Sequence, residues 1–191
     1  SGGTLWKVWT GLPEGLATGV CQAKAQLGMD LFDYLAAHPK ALEEFGETLK
    51  AHSAVANVGV MERYDFAGVR RLVDVGAGYG PLTTAVHEKY PEISGVVFDL
   101  PEVIEAAPTR LPVESDSVAR RLAYAAGDMF KELPSADAYV LKLILHDWDD
   151  ASCATILANV CARLERGGRV ICIDNVMAPL RGISDGPGKV L

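Results

Sequence analysis

Residues 71–80 read Arg71-Leu72-Val73-Asp74-Val75-Gly76-Ala77-Gly78-Tyr79-Gly80, and the rest of the chain is organised around them. The short apolar run has the character of a buried strand. Three glycines follow at alternate positions. Pro81 then opens a segment with helical character, Leu82-Thr83-Thr84-Ala85-Val86-His87. Strand, glycine turn and helix in that order form the opening unit of a nucleotide-binding α/β domain. Glycine allows positive φ and close backbone approach, so a ligand can lie across the turn without meeting a Cβ.

The spacing separates two ligand classes. A dinucleotide site wants Gly-x-Gly-x-x-Gly, with the third glycine packing helix on strand and the pyrophosphate at the helix N-terminus. This chain has Gly76-x-Gly78-x-Gly80 and then Pro81 where that third glycine would fall. Pro81 also removes one N–H that would cradle a phosphate. An NAD-dependent oxidoreductase is disfavoured on both counts.

At 191 residues the chain fits one globular domain, or one domain with a helical extension. Its hydrophobic fraction of 49% is ample for a core. The formal net charge of −7 argues against nucleic acid and against an anionic membrane surface, since no basic stripe neutralises phosphates. No apolar run approaches the ~18–20 residues that span a bilayer, and no signal-peptide pattern opens the chain. Cys21, Cys153, Cys161 and Cys172 show no metal-ligand spacing. Cys153 and Cys161 fall in an expected helix and are read as buried free thiols, which fits a reducing cytoplasm.

Residues 1–66 form a helical segment without a strand signal, expected to pack on the unit that follows and to contribute to a substrate pocket. Leu42, Phe45, Leu49 and Val55 recur at roughly helical spacing and are expected in a core. Glu43, Glu44, Glu47 and Lys50 lie off that stripe as a solvated face. Residues 67–191 then alternate strand and helix. Strands are expected at 71–75, 94–98, 122–126, 138–145 and 169–173. Helices are expected from Pro81 to about Tyr90, over 102–107 before Pro108, and after a cap at Asp149 or Asp150, the last ended by Gly167-Gly168. The polar stretch 109–120 reads as a loop and the start of another helix. This alternation requires a parallel sheet with helices on both faces, a Rossmann-like α/β fold.

Ligands of such a sheet bind beyond the carboxyl ends of its strands. The chain places Gly76–Gly80, Asp99, Asp128-Met129, Lys142 to His146 and Asp174 there. Asp99 can accept both hydroxyls of a ribose, because a carboxylate offers two oxygens to paired donors. Asp128 can accept from an adenine amine, with Met129 against the ring. The acidic rim also suits a positively charged reactive centre. His146 is the candidate base, a capping or surface role being the alternative. A phenol of pKa ~10 stands about 3.5 units above an imidazole, so full prior deprotonation costs roughly 5 kcal/mol. Proton removal concerted with group transfer reduces that gap, and so does a carboxylate on the far imidazole nitrogen. Asp174 is placed to be that carboxylate. His38, His52 and His87 have no comparable setting, and no metal site is expected.

The string Asp137-Ala138-Tyr139-Val140-Leu141-Lys142-Leu143-Ile144-Leu145-His146-Asp147-Trp148-Asp149-Asp150 resembles the signature of the class I S-adenosylmethionine (SAM)-dependent O-methyltransferases that act on small phenolic and polyketide substrates. Supporting matches are YDFAGVRRLVDVGAGYG from Tyr64, GVVFDLPEVI from Gly95, AGDMF from Ala126 and GGRVICIDNV from Gly167. The resemblance implies contacts to SAM at Gly76, Gly78, Asp99, Leu100, Asp128, Met129, Phe130 and Lys142. It implies His146 as general base, with Asp174 where the family has an acid, more often glutamate, orienting that histidine. Gly-Ala-Gly replaces the commoner Gly-Gly-Gly in the turn. The implied activity is methyl transfer to a hydroxyl of an aromatic small molecule, S-adenosyl-L-homocysteine being the product. A SAM-binding relative with lost or diverted chemistry is the alternative.

The family begins with a winged-helix domain that builds a homodimer and ends with two more strands. Neither corresponds to anything here. The chain is therefore expected to be a fragment, poorly soluble or weakly active alone, since a fifth strand without its neighbour leaves hydrogen-bonding groups exposed. Trp6, Trp9, Met29, Phe32 and Phe45 are the candidates for the substrate pocket, and are equally suited to a core.

Overall fold

The computed structural model describes residues 2–110 and 121–175. Five helices come first: α1 (Gly2–Trp9), α2 (Leu12–Thr18), α3 (Ala23–Leu27), α4 (Leu31–Ala37) and α5 (Pro39–Arg63). The α/β part follows as β1 (Arg71–Val75), α6 (Pro81–Lys89), β2 (Ser94–Asp99), α7 (Pro101–Arg110), β3 (Leu122–Ala126) and β4 (Ala136–Lys142). A 3₁₀ turn at Leu145–Asp147, α8 (Asp150–Arg163) and β5 (Leu164–Ile173) complete it. Pro39, Pro81 and Pro101 each open a helix, where a missing N–H leaves no bond unmade. Asp149, rather than Asp150, caps α8: its Oδ1 accepts from Ser152 N–H at 2.8 Å, a contact worth about 1 kcal/mol.

The five strands are parallel, in the order β3-β2-β1-β4-β5. Strand order reverses between β1 and β4, and the crevice at such a switch point is where α/β sheets hold ligands. Successive β-strand side chains point to opposite faces, so two cores form. Val73, Val75, Phe98, Tyr139, Leu141, Ile156 and Val160 pack on the α8 side. Leu72, Ala138, Val140, Leu82, Val86 and Phe66 pack on the α6 side, joined by Val60 and Met61 of α5. Asp74 shares a face with Leu72 and is buried there. His87, on α6, is also fully buried, its Nδ1 2.8 Å from Thr83 O and its Nε2 3.2 Å from Arg121 O.

Several boundaries differ from the sequence expectation. β4 stops at Lys142, not at residue 145, because Leu143 turns left-handed and a 3₁₀ turn follows. β5 starts at Leu164, because α8 ends at Arg163 and the Gly167-Gly168 pair lies inside the strand, with a register irregularity opposite Ala136–Ala138. α7 runs through Pro108 to Arg110, since a proline in the last turn removes only one helical bond. Of the stretch expected as a loop, 111–120 lies outside the described residues. The four described cysteines are free, but Cys161, Cys172 and Cys21 are exposed and Cys153 is half-buried, so the expectation of buried thiols in α8 does not hold. Cys161 falls on the outer side of a helix whose inner stripe is Ile156 and Val160.

Candidate functional site

The glycine turn leaves β1 with three positive φ angles: 66° at Gly76, 59° at Gly78 and 85° at Gly80. The N–H groups of Gly76 and Ala77 both donate to Phe98 O, at 2.9 and 3.2 Å, closing the turn onto β2. A Cβ on Gly76 would stand 2.3 Å from Ile144 Cδ1, whereas one on Gly78 would meet nothing within 4 Å. Gly78 faces a cavity of about 550 Å³. Ala77 lacks the positive φ of its neighbours, so its methyl is accommodated.

Asp99, at the end of β2, accepts from Gly78 N–H through Oδ2 at 2.7 Å and from Leu100 N–H through Oδ1 at 2.7 Å. Burial pushes its carboxyl up to about 6, against the pull of those two donors. Each oxygen keeps acceptor capacity toward the cavity. Asp128, after β3, accepts from Phe130 N–H at 2.9 Å and pairs with Lys131 at 3.1 Å. Asn159 of α8 donates to Met129 O at 2.9 Å, holding that loop in place.

Lys142, the last residue of β4, donates to Ser53 Oγ on α5 at 2.8 Å. Beneath it Asp74 accepts from Thr83 Oγ1 at 2.7 Å. Burial raises the Asp74 carboxyl to about 6, although Thr83 and then Lys142 draw it back down. The same desolvation lowers Lys142, which Asp74 opposes. Neither Ser53 nor Asp74 is among the site residues expected from the sequence. Asp74 carried a signal, an acid within an apolar strand two residues before the first glycine. Ser53 carried none, because its partner lies 89 residues away.

His146 sits in the 3₁₀ turn beyond β4, half exposed, with Nδ1 2.7 Å from Asp174 Oδ1 and Nε2 3.4 Å from Asp147 Oδ1. The hydrogen bond to Asp174 raises the imidazole above its usual value, against a smaller desolvation effect. Burial is the largest single effect on Asp174 and raises it, but the hydrogen bond to His146, the Asn175 N–H and the charge of His146 together outweigh it and hold the carboxyl below its ordinary range. An aspartate at 174 therefore spans the gap that a longer glutamate would otherwise fill.

Gly76, Gly78, Asp99, Leu100, Asp128, Met129, Phe130, Lys142 and His146 all line the same cavity, and Asp174 stands behind His146. The helical segment supplies the opposite wall through Phe32, Leu35, Leu42, Phe45, Leu49 and Ser53. Leu42, Phe45 and Leu49 of the α5 stripe thus face the cavity instead of a core, while the Val55 side chain lies outside what the structure describes. Trp148 stacks on Phe32 with centroids 5.9 Å apart and meets Phe130 edge-on at 4.7 Å, an aromatic surface beside His146. Trp6, Trp9 and Met29 do not line it. Trp6 is 71% and Trp9 61% exposed on the surface of α1.

Residues 9–184 match the family model described as an O-methyltransferase domain. The chain is 34% identical over 173 residues to phenazine O-methyltransferase PhzM of Lysobacter antibioticus, covering 90% of this chain and 50% of that protein. It is 37% identical over 174 residues to caffeic acid 3-O-methyltransferase of Zea mays, covering 91% and 45%. The crystal structure of human N-acetylserotonin methyltransferase in complex with SAM superposes with a TM-score of 0.83 at 27% identity, over 97% of this chain and 53% of that one. The chain spans about half the length of the curated relatives it matches. With its glycine turn, its acid-ended parallel strands and its histidine turn at one crevice, the chain belongs to the O-methyltransferase domain family.

Proposed function

We propose that the protein transfers a methyl group from SAM to a hydroxyl of an aromatic small molecule, with His146 as general base. One observation carries this reading: the His146–Asp174 pair opens onto the cavity that the glycine turn, Asp99, Asp128 and Lys142 also line. The names of the relatives, which specify phenazine, caffeic acid and N-acetylserotonin methylation, support an aromatic acceptor.

The cavity residues fit an adenosyl cofactor without phosphate. Open space above Gly78 admits a ligand across the turn, and Pro81 offers no N–H to a phosphate. When bound, SAM would supply a methyl carbon activated by a sulfonium. Asp99 would accept from the ribose hydroxyls, Asp128 from the adenine amine, and Lys142 would pair with the carboxylate of the methionyl end. Nδ1 of His146 lies 2.7 Å from the Asp174 carboxylate and so carries its proton there; the Nε2 lone pair is left to take the acceptor's proton, and Asp147 Oδ1, 3.4 Å from Nε2, favours the imidazolium that forms. The raised basicity of the imidazole narrows the gap to a phenol, and the surface of Phe32, Trp148 and Phe130 orients an aromatic ring. Residues 1–66 act as the wall that completes this pocket over the cofactor-binding part, 67–191, and the whole protein is read as a homodimer.

The test is mass spectrometry of a phenolic panel incubated with the protein and deuteromethyl-SAM. Transfer of the label to oxygen is expected, with His146→Ala about 10²–10⁴-fold slower at unchanged SAM affinity. Wild-type turnover in His146→Ala would remove the base assignment.

A further inference from the structure

Leu143 has φ +57°, the one positive φ at a non-glycine residue among those described. L-residues avoid this region because Cβ crowds the following carbonyl, and it is rare outside glycine, asparagine and aspartate. The conformation persists where surrounding contacts over-determine it, and such sites concentrate where function needs them. Leu143 stands directly after Lys142, the last residue of β4, and three residues before His146. Its N–H donates to Ile173 O at 2.8 Å, one bond beyond the Lys142↔Ile173 pairing of β4 with β5. The residue just after β5 is Asp174, whose carboxylate holds His146 Nδ1 at 2.7 Å. Had β4 continued as a strand, His146 would lie about 13 Å beyond Lys142 at ~3.3 Å per residue. The left-handed step instead folds the chain back, so that Lys142 and His146 line one cavity and Ile144 Cδ1 fills the space over Gly76.

We infer that the left-handed backbone at Leu143, tied to Ile173, is the positioning element that brings His146 into register with Asp174 and onto the cavity. This rests on His146 being the base. The Leu143 side chain also lines the cavity, so its loss can change KM, but the backbone places His146, so residues that accept positive φ should keep kcat and the acid limb, and β-branched ones should not.

The experiment measures kcat, KM, SAM affinity by calorimetry and the acid limb of the pH–rate profile for the full chain with Leu143→Gly, Leu143→Asn and Leu143→Val. Glycine and asparagine tolerate the left-handed region, so kcat is expected within about threefold of wild type. Valine strongly resists it, so kcat is expected to fall about tenfold or more with SAM affinity within about threefold. The acid limb should move to lower pH in Leu143→Val, as the imidazole loses Asp174, a change that general destabilisation would not produce. If valine at 143 also abolishes SAM binding, Leu143→Ala carries the comparison, and its kcat should lie below that of Leu143→Gly. Wild-type kcat with an unmoved acid limb in Leu143→Val, or Leu143→Gly and Leu143→Asn as impaired as Leu143→Val, would overturn the inference. So would Leu143→Ala equal to Leu143→Gly. His146→Ala, run alongside, separates the two failures: full turnover there defeats the base assignment itself, whereas full turnover in Leu143→Val alone defeats only this inference.

Discussion

Replacing Gly78 by alanine separates the backbone demand of the glycine turn from its role under a ligand. Gly78 has φ +59°, and a Cβ there would meet no protein atom within 4 Å. Gly68, in the loop between α5 and β1, has φ +83° and equally open space, but does not line the cavity. Both alanine variants should therefore lose about 1–2 kcal/mol of stability from the left-handed backbone alone, measured by urea denaturation without ligand. That is tolerable for a domain with roughly 5–15 kcal/mol to spare. Only Gly78→Ala places its methyl where an adenosyl group would lie. Its affinity for S-adenosylhomocysteine should fall at least tenfold, which is about 1.4 kcal/mol or more, while Gly68→Ala binds as wild type. Gly76→Ala provides the opposite contrast, since its Cβ would come within 2.3 Å of Ile144 Cδ1. It should lose more stability than Gly78→Ala, and Ile144→Val, which removes that Cδ1, should restore part of the loss. Equal affinity in Gly78→Ala and Gly68→Ala would refute the idea that a ligand crosses the turn.

Further outcomes are expected. Asp174→Asn should shift the acid limb of the pH–rate profile to lower pH and lower the plateau, because the Asp174 hydrogen bond is what raises His146 and the imidazole must be neutral to act. Asp74 and Asp99 both sit near 6 when folded, above the ordinary 3.8, so the folded state holds more protons between about pH 4 and 6. Their contribution to ligand-free stability is greatest below that window and falls as pH rises through it, by roughly 3 kcal/mol at most for each group, and Asp99→Asn should remove its share of that fall in urea titrations. Leu72→Ala, at a fully buried position on β1, should remove about 3–5 kcal/mol by chemical denaturation, with no change in ligand contacts.

What the chain alone determined is what depends on neighbours in sequence. The apolar run before Gly76, the prolines that open α5 and α6, a cap at Asp149 or Asp150 and the acids at or just after the ends of β2 and β3 are local patterns. They gave the parallel sheet and most of the residues around the crevice. The tertiary structure decided what depends on distant partners. Ser53 joins the site only because α5 lies over Lys142, and Trp6 and Trp9 leave it because α1 stays at the surface. β4 looked apolar to residue 145, yet it ends at Lys142, since the bond from Leu143 to Ile173 and the packing of Ile144 over Gly76 outweigh the local preference for extension. Apolar composition signals burial but carries no sign of φ. That sign was set by the neighbouring strand.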